Sequence, residues 1–234
     1  MPLPKALLLD LDNTVLAFDQ AVAQSWAEVS QQFAPRLGAD EKSLLQALLR
    51  SRDSFWADPV RNQWGRNDPE LAHRQIVRAV LEHLGSPQDA LADTIARTLT
   101  EVFDQLIAPF PGALEALRSA KGGGVRLALV TNGGTEVQRR KISRFGLDAL
   151  VDAVLIEGEL GYGKPDARVF RLALERLGAA PSEAWMVGDN LEHDVAPAQA
   201  LGMRGVWVDW AGKGLPVGSG VRPDRTVREI RELV

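Results

Sequence analysis

The chain has 234 residues, 45% hydrophobic and 25% charged, the balance of a globular protein with room for one large domain or two modest ones. Lys and Arg number 27 against 31 Asp and Glu, a net charge of −4 with no basic tract, which argues against a nucleic-acid footprint. There is no cysteine, so disulfides, thiolate zinc sites and cysteine nucleophiles are excluded and a reducing, cytoplasmic setting is expected.

The first element is "KALLLD" (5–10), a short apolar run that reads as a buried strand. It falls short of the roughly 7–15 apolar residues of a secretory core and the about 20 of a membrane span, so no membrane partner is expected. The run ends in Asp10, and Asp12 follows one leucine later. Side chains alternate along a strand, so the two acids are expected on the same side. Like charges that close need an offset, from a metal ion or from a proton held on one of them.

Residues 14–19 read as an outgoing connection. Four sets of apolar residues at helical spacing follow: Val22, Trp26, Val29 and Phe33; Leu44, Leu45, Leu48 and Leu49; Ile76, Val77, Val80, Leu81 and Leu84; and Leu91, Ile95, Leu99, Val102 and Phe103. Four amphipathic helices are too many for one crossover, so residues 17–106 are read as an inserted helical domain with its own core. Within it, residues 50–70 read as a long loop. There Arg52, Trp56, Arg61 and Trp64 suit an anionic or ring-bearing ligand, the alternative being tryptophans packed on the helical core. His73 and His83 are expected on the surface of this domain.

"APFPG" (108–112) reads as the return hinge, so residues 1–16 and 107–234 make one Rossmann-like core. Its further strands are expected at 125–130, 153–157, 184–188 and 205–209, alternating with helices at 135–145, 165–177 and 194–201. Near-continuous apolar strands fit a parallel sheet covered on both faces, and the alternation implies an α/β, doubly wound fold. Residues 211–224 are a Gly/Pro-rich loop, and 226–233 a last turn or helix.

Ligands of open α/β sheets bind beyond the carboxyl ends of the strands. Those ends here carry Asp10 and Asp12, then "TNGG" from Thr131, then Lys164 in "GKPD", then "GDNLEHD" with Asp189, Asn190 and Asp194. Carboxylates from two strands can hold Mg²⁺, which prefers oxygen ligands. Thr131 with the amides of Asn132 and Gly133 can cradle an anion at a helix start, and Lys164 can neutralise it. Asp194 is either a metal ligand or the N-cap of the helix that follows, and Asn190 is a further candidate ligand. His193 reads as exposed and non-catalytic.

In order, these motifs resemble those of the haloacid dehalogenase-like hydrolases. Asp10, Asp12 and Thr14 are similar to the family's first motif, Thr131 to its second, Lys164 to its third, and Gly188, Asp189 and Asp194 to its fourth. The insertion after the first strand resembles the family's helical cap. The acid at Asp12 fits the phosphatase branch, because dehalogenases of the family generally lack it.

The resemblance implies a Mg²⁺-dependent phosphatase acting on a small-molecule phosphate monoester. Asp10 would be the nucleophile, forming an aspartyl-phosphate, and Asp12 the general acid and then base. Thr131, Asn132, Gly133 and Lys164 would bind phosphate. Asp10, the backbone carbonyl of Asp12, and Asp189 would hold the metal, with Asp194 binding it directly or through water, or orienting Lys164. Two alternatives stand beside this reading: a phosphomutase of the same family and a non-catalytic phosphate-binding or regulatory module. The expected assembly is a monomer or homodimer.

Overall fold

The computed structural model describes residues 3–234. The chain divides into two compact units, Met1–Ala17 with Pro109–Val234, and Phe18–Ala108. In chain order the elements are β1 (Ala6–Leu9), α1 (Phe18–Phe33), α2 (Glu41–Ala57), α3 (Pro59–Gly65), α4 (Pro69–His83), α5 (Asp89–Leu106), α6 (Ala113–Gly122), β2 (Arg126–Thr131), α7 (Thr135–Arg144), α8 (Leu147–Leu150), β3 (Ala153–Ile156), α9 (Glu157–Leu160), α10 (Ala167–Leu177), β4 (Ala184–Gly188), α11 (Ala196–Ala200), β5 (Arg204–Val208) and β6 (Arg225–Val227). Among the described residues no helix is long and apolar enough to cross a membrane.

The first unit is an α/β core around a six-stranded parallel sheet of order β3-β2-β1-β4-β5-β6. Leu9 stands beside Leu129 of β2 and Val187 of β4, which sets the register at the centre. Both faces of the central strands are apolar and covered, as a parallel sheet requires. Ala6, Leu8, Ala128 and Val130 pack against Val169, Phe170, Ala173 and Leu177 of α10. Leu7, Leu9, Leu127 and Leu129 point the other way and are equally buried.

The order reverses between β1 and β4, because chain progression runs outward from them in opposite directions. Such a reversal opens a crevice at the carboxyl ends of the two strands. Asp10 follows β1 and Asp189 follows β4, so the topology delivers both acids to that crevice.

Two parts of this unit differ from the sequence reading. A sixth strand, β6, extends the sheet next to β5 where a turn or helix is expected, and a short 3₁₀ turn follows at Ile230–Leu233. A helix, α6, precedes β2. At the far edge, β3 has one open side, where the Arg176 guanidinium donates to the Val154 carbonyl at 3.2 Å.

The second unit is a helical bundle around Trp26, Phe33, Leu48, Phe55, Ile76, Leu81, Ile95 and Leu99. Three of its helices, α2, α3 and α4, begin on carboxylate caps. Asp40 accepts from the Ser43 amide at 2.9 Å, Asp58 from Val60 and Arg61 at 2.9 and 3.0 Å, and Asp68 from Leu71 at 3.0 Å. Asp58 and Asp68 are each followed by proline, whose missing N–H costs nothing in a first turn.

The stretch 50–70 is therefore helical, not a loop: the end of α2, a break at Asp58, α3, and the start of α4. His73 also departs from expectation. It packs edge-on against Trp26 with centroids 5.6 Å apart, and its Nδ1 lies 3.3 Å from the Thr100 hydroxyl. Burial pushes its pKa down to about 4, so the imidazole is neutral near pH 7. His83 is exposed as expected.

Candidate active site

β1 stops at Leu9, but the Asp10 amide still donates to the Val187 carbonyl at 2.9 Å, which holds Asp10 at the strand tip. The chain then turns. Asn13 adopts a left-handed conformation (φ 60°), and the Leu16 amide returns to the Leu11 carbonyl at 2.9 Å. Strand alternation ends there, so the two acids do not share one environment. The Asp10 carboxylate meets Lys164, and the Asp12 carboxylate meets Lys141.

Asp10 is buried, and its Oδ1 lies 2.5 Å from Lys164 Nζ. The same ammonium reaches Asp194 Oδ1 at 2.7 Å. Thr14, fully buried, places its hydroxyl 3.4 Å from Asp10 Oδ2. Asp189 completes the group: Asp10, Asp189 and Asp194 each offer an oxygen, all within 4.8 Å of one another. Three carboxylates thus face one ammonium.

Burial raises Asp10 to about 6; the adjacent Lys164 pulls it down and Asp194 pushes it up. Burial, Asp10 and Asp194 raise Asp189 to about 8, against Lys164 and a hydrogen bond from Asn13. Burial alone would lower Lys164, but Asp10 and Asp194 override it and hold the ammonium charged, above its ordinary value. A cation among these oxygens would offset the carboxylate repulsion. Hard oxygen donors in a small, partly charged cluster fit Mg²⁺.

The supporting backbone explains several residues. A Cβ on Gly188 would overlap the Asp194 carboxylate, so only glycine lets Asp194 close on the site. Asp194 Oδ2 accepts from the Asn190 amide at 3.0 Å. Asn190 Oδ1 accepts from Glu192 and His193 at 3.0 and 2.9 Å, capping a π-helical turn at Leu191–Val195. Asn190 is thus the cap and Asp194 lies inside the turn, the reverse of the capping role considered for Asp194. His193 is exposed.

Lys164 is aimed by its own backbone. Asn132 accepts from the Lys164 amide at 2.8 Å and donates to the Lys164 carbonyl at 2.6 Å. Pro165 precedes the cap of α10, Asp166, and so lies outside the first turn expected for it. Thr131 is buried at the tip of β2. The Gly133 amide departs from the anion cradle expected of it, because it donates to Glu157 at 2.9 Å; α7 begins two residues later, so this amide is not at a helix start.

Sequence reasoning missed the partners of Asp12. Lys141 Nζ lies 2.7 and 2.6 Å from its two oxygens, and Gln138 Nε2 lies 3.2 Å from Oδ2. Both come from α7 and both are buried. Their signal was present, since Gln138 and Lys141 are one turn apart on the side of Ile142, the helix's buried face.

The cap candidates have internal partners. Trp56 and Trp64 set their rings edge-on to Phe55 at 5.1 and 5.3 Å, the packing alternative weighed for them. Arg61 sits 5.9 Å over the same ring, and Arg52 lies 3.4 Å from Asp53.

Three carboxylates and a paired lysine thus lie at the switch point, where ligands of open α/β sheets bind. Residues 4–202 match the family model described as haloacid dehalogenase-like hydrolase, and the chain belongs to that family. The phosphoserine phosphatase of Thermus thermophilus is 37% identical over 98% of this chain and 97% of its own length. The ribulose-1,5-bisphosphate 5-phosphatase of Halopiger xanaduensis is 32% identical over 87% and 84%. Among solved structures, a 2-haloacid dehalogenase of Pseudomonas syringae superposes with a TM-score of 0.64 at 26% identity, over 99% of this chain and 96% of that one. This protein is a phosphatase of the family, a phosphoric monoester hydrolase.

Proposed function

We propose that the protein hydrolyses a small-molecule phosphate monoester through an aspartyl-phosphate on Asp10, with Mg²⁺ held by Asp10, Asp189 and Asp194. The observation that carries this reading is the group of buried Asp10, Asp194 and Lys164 with half-buried Asp189 at the β1/β4 crevice. Bound there, Mg²⁺ would neutralise phosphate charge and orient the ester against Asp10.

An Asp10 oxygen attacks phosphorus and the ester P–O bond breaks. Asp12 gives a proton to the leaving oxygen as it departs. Water then attacks the aspartyl-phosphate and gives its proton to Asp12, and inorganic phosphate leaves. Lys164 and the Thr131 hydroxyl bind phosphate oxygens throughout. Phosphate monoesters need accelerations up to about 10²¹-fold, beyond what one acid supplies, which is why nucleophile, cation and acid must act together.

Asp12 supports phosphatase over dehalogenase chemistry, because a departing halide needs no proton while a departing alkoxide does. The relatives act on different phosphate esters by name. The test is inorganic phosphate release from a panel of sugar, amino-acid, nucleotide and aryl phosphates, with Mg²⁺, with chelator, and with Asp10→Asn. Release that needs both Mg²⁺ and Asp10 is expected. Release unaffected by Asp10→Asn would sink the reading.

A further inference from the structure

Asp12 is the one acid of the first motif that stands apart from the carboxylate triad, and two buried side chains keep it there. The geometry points to Lys141 and Gln138 as positioning residues that hold the Asp12 carboxylate in line for the leaving oxygen and fix the Thr131 hydroxyl as a donor. This rests on the acid–base reading of Asp12 given above.

The Asp12 side chain is partly open to solvent, whereas Lys141 is 6% and Gln138 2% exposed. A buried lysine carries a desolvation cost that a solvent-facing ion pair does not need, so the pair is built from the inside. Lys141 spans both carboxylate oxygens, and Gln138 adds a third contact on Oδ2. Two points of attachment fix the rotation of the carboxylate, where a single one would let it swing. Held on α7, the carboxylate cannot join Asp10, Asp189 and Asp194, so it is kept out of the ligand group.

Gln138 does a second thing. Its Nε2 lies 2.6 Å from the Thr131 hydroxyl, 2.8 Å from the Asn132 carbonyl and 3.2 Å from Asp12 Oδ2, so its two N–H groups are shared among three acceptors. The opposite amide orientation would set the Gln138 oxygen against the Asp12 carboxylate and the Asn132 carbonyl, a repulsive arrangement. With Nε2 donating, Thr131 must accept, and its own proton is left for another acceptor. Its remaining partner here, the Asn132 carbonyl, is a long 3.4 Å away. The hydroxyl is thus pre-set to donate to a phosphate oxygen, and one glutamine couples the phosphate-binding group to the acid.

The test compares two probes with Mg²⁺ present. Phenyl phosphate leaves as a strongly basic phenoxide that needs a proton, and dinitrophenyl phosphate leaves as a stable anion that does not. For Lys141→Met, kcat on phenyl phosphate is expected to fall about tenfold or more beyond its fall on dinitrophenyl phosphate, within the range of a general acid. KM is expected to move little, and Lys141→Arg to restore most of the difference. Asp12→Asn should show the same selectivity, and Lys141→Met added to Asp12→Asn should cost nothing further.

Equal loss on both probes, or no loss, would overturn the positioning role while Asp12→Asn remains selective. An Asp12→Asn variant without selectivity would overturn the acid–base reading and the inference with it. Should Lys141→Met not fold, Lys141→Gln, which keeps a hydrogen-bond donor on a shorter stem, carries the same comparison.

Discussion

The two units solve the interior problem in opposite ways. In the helical unit the carboxylates sit outside, capping helix starts at Asp40, Asp58 and Asp68, and the centre is apolar apart from groups that satisfy themselves locally. Ser25 and Ser30 donate to carbonyls of their own helix, and His73 is held neutral. In the α/β unit the buried side chains include Asp10, Lys141, Lys164 and Asp194, all ionisable. One interior is assembled to hold shape. The other holds charge where charge is costly, which is the condition for using it.

The variants that break this contrast rank by expected effect. Asp10→Asn is expected to reduce phosphate release on the order of 10³-fold or more, since removing a nucleophile disables the unit it acts in; steady-state kinetics decides. Lys164→Met strips the cation from Asp10 and Asp194, and unpaired buried charge costs roughly 3–5 kcal/mol. Denaturant unfolding without metal should show that loss, and Mg²⁺ should recover part of it.

The pH dependences of the two units should run in opposite directions. The raised values of Asp10 and Asp189 mean that the native metal-free core holds protons the unfolded chain has released. Its stability is therefore lower above about pH 8 and grows as pH falls toward 4. His73, with a folded value of about 4 against 6.5 unfolded, works the other way: its stability is full above pH 6.5 and is lost as pH falls toward 4, by at most ~3 kcal/mol. Hydrogen exchange resolved by region at pH 8, 6.5 and 4.5 separates the two, and His73→Gln should flatten the helical profile. A common direction in both units would contradict the assigned charge states.

Smaller effects sharpen the same contrast. Gly188→Ala forces Asp194 aside, with an overpacking cost of about 1–3 kcal/mol and a loss of activity. Asp68→Ala removes an exposed cap and should cost about 1 kcal/mol with turnover intact. Thermal melts paired with phosphate assays read both.

Much of this was legible beforehand. Continuous apolar runs marked five strands, and helical spacing marked the four long helices of the insertion, because burial writes directly into periodicity. β6 escaped because three residues, Arg225 to Val227, carry no period. α3 was hidden in a stretch rich in Arg and Trp, although Asp58-Pro59 is a helix start in plain sight. At the site, the acids and Lys164 stood out because each followed a strand. Gln138 and Lys141 did not, because a polar pair on a helix looks solvated until the partner that buries it is known. The separate environments of Asp10 and Asp12 depended on one left-handed residue, Asn13, which strand alternation cannot anticipate.

The open side of β3 has a consequence for the protein in concentrated solution. An unpaired strand edge is a template on which another chain can add, and sheets left with long, flat edges tend to polymerise. Here the edge is four residues long, and a guanidinium already occupies the Val154 carbonyl. At the opposite end, β6 offers three residues. The sheet thus ends at both margins in short strands, and the Arg176 side chain covers one carbonyl of the β3 margin, two of the features that blunt strand edges against such growth.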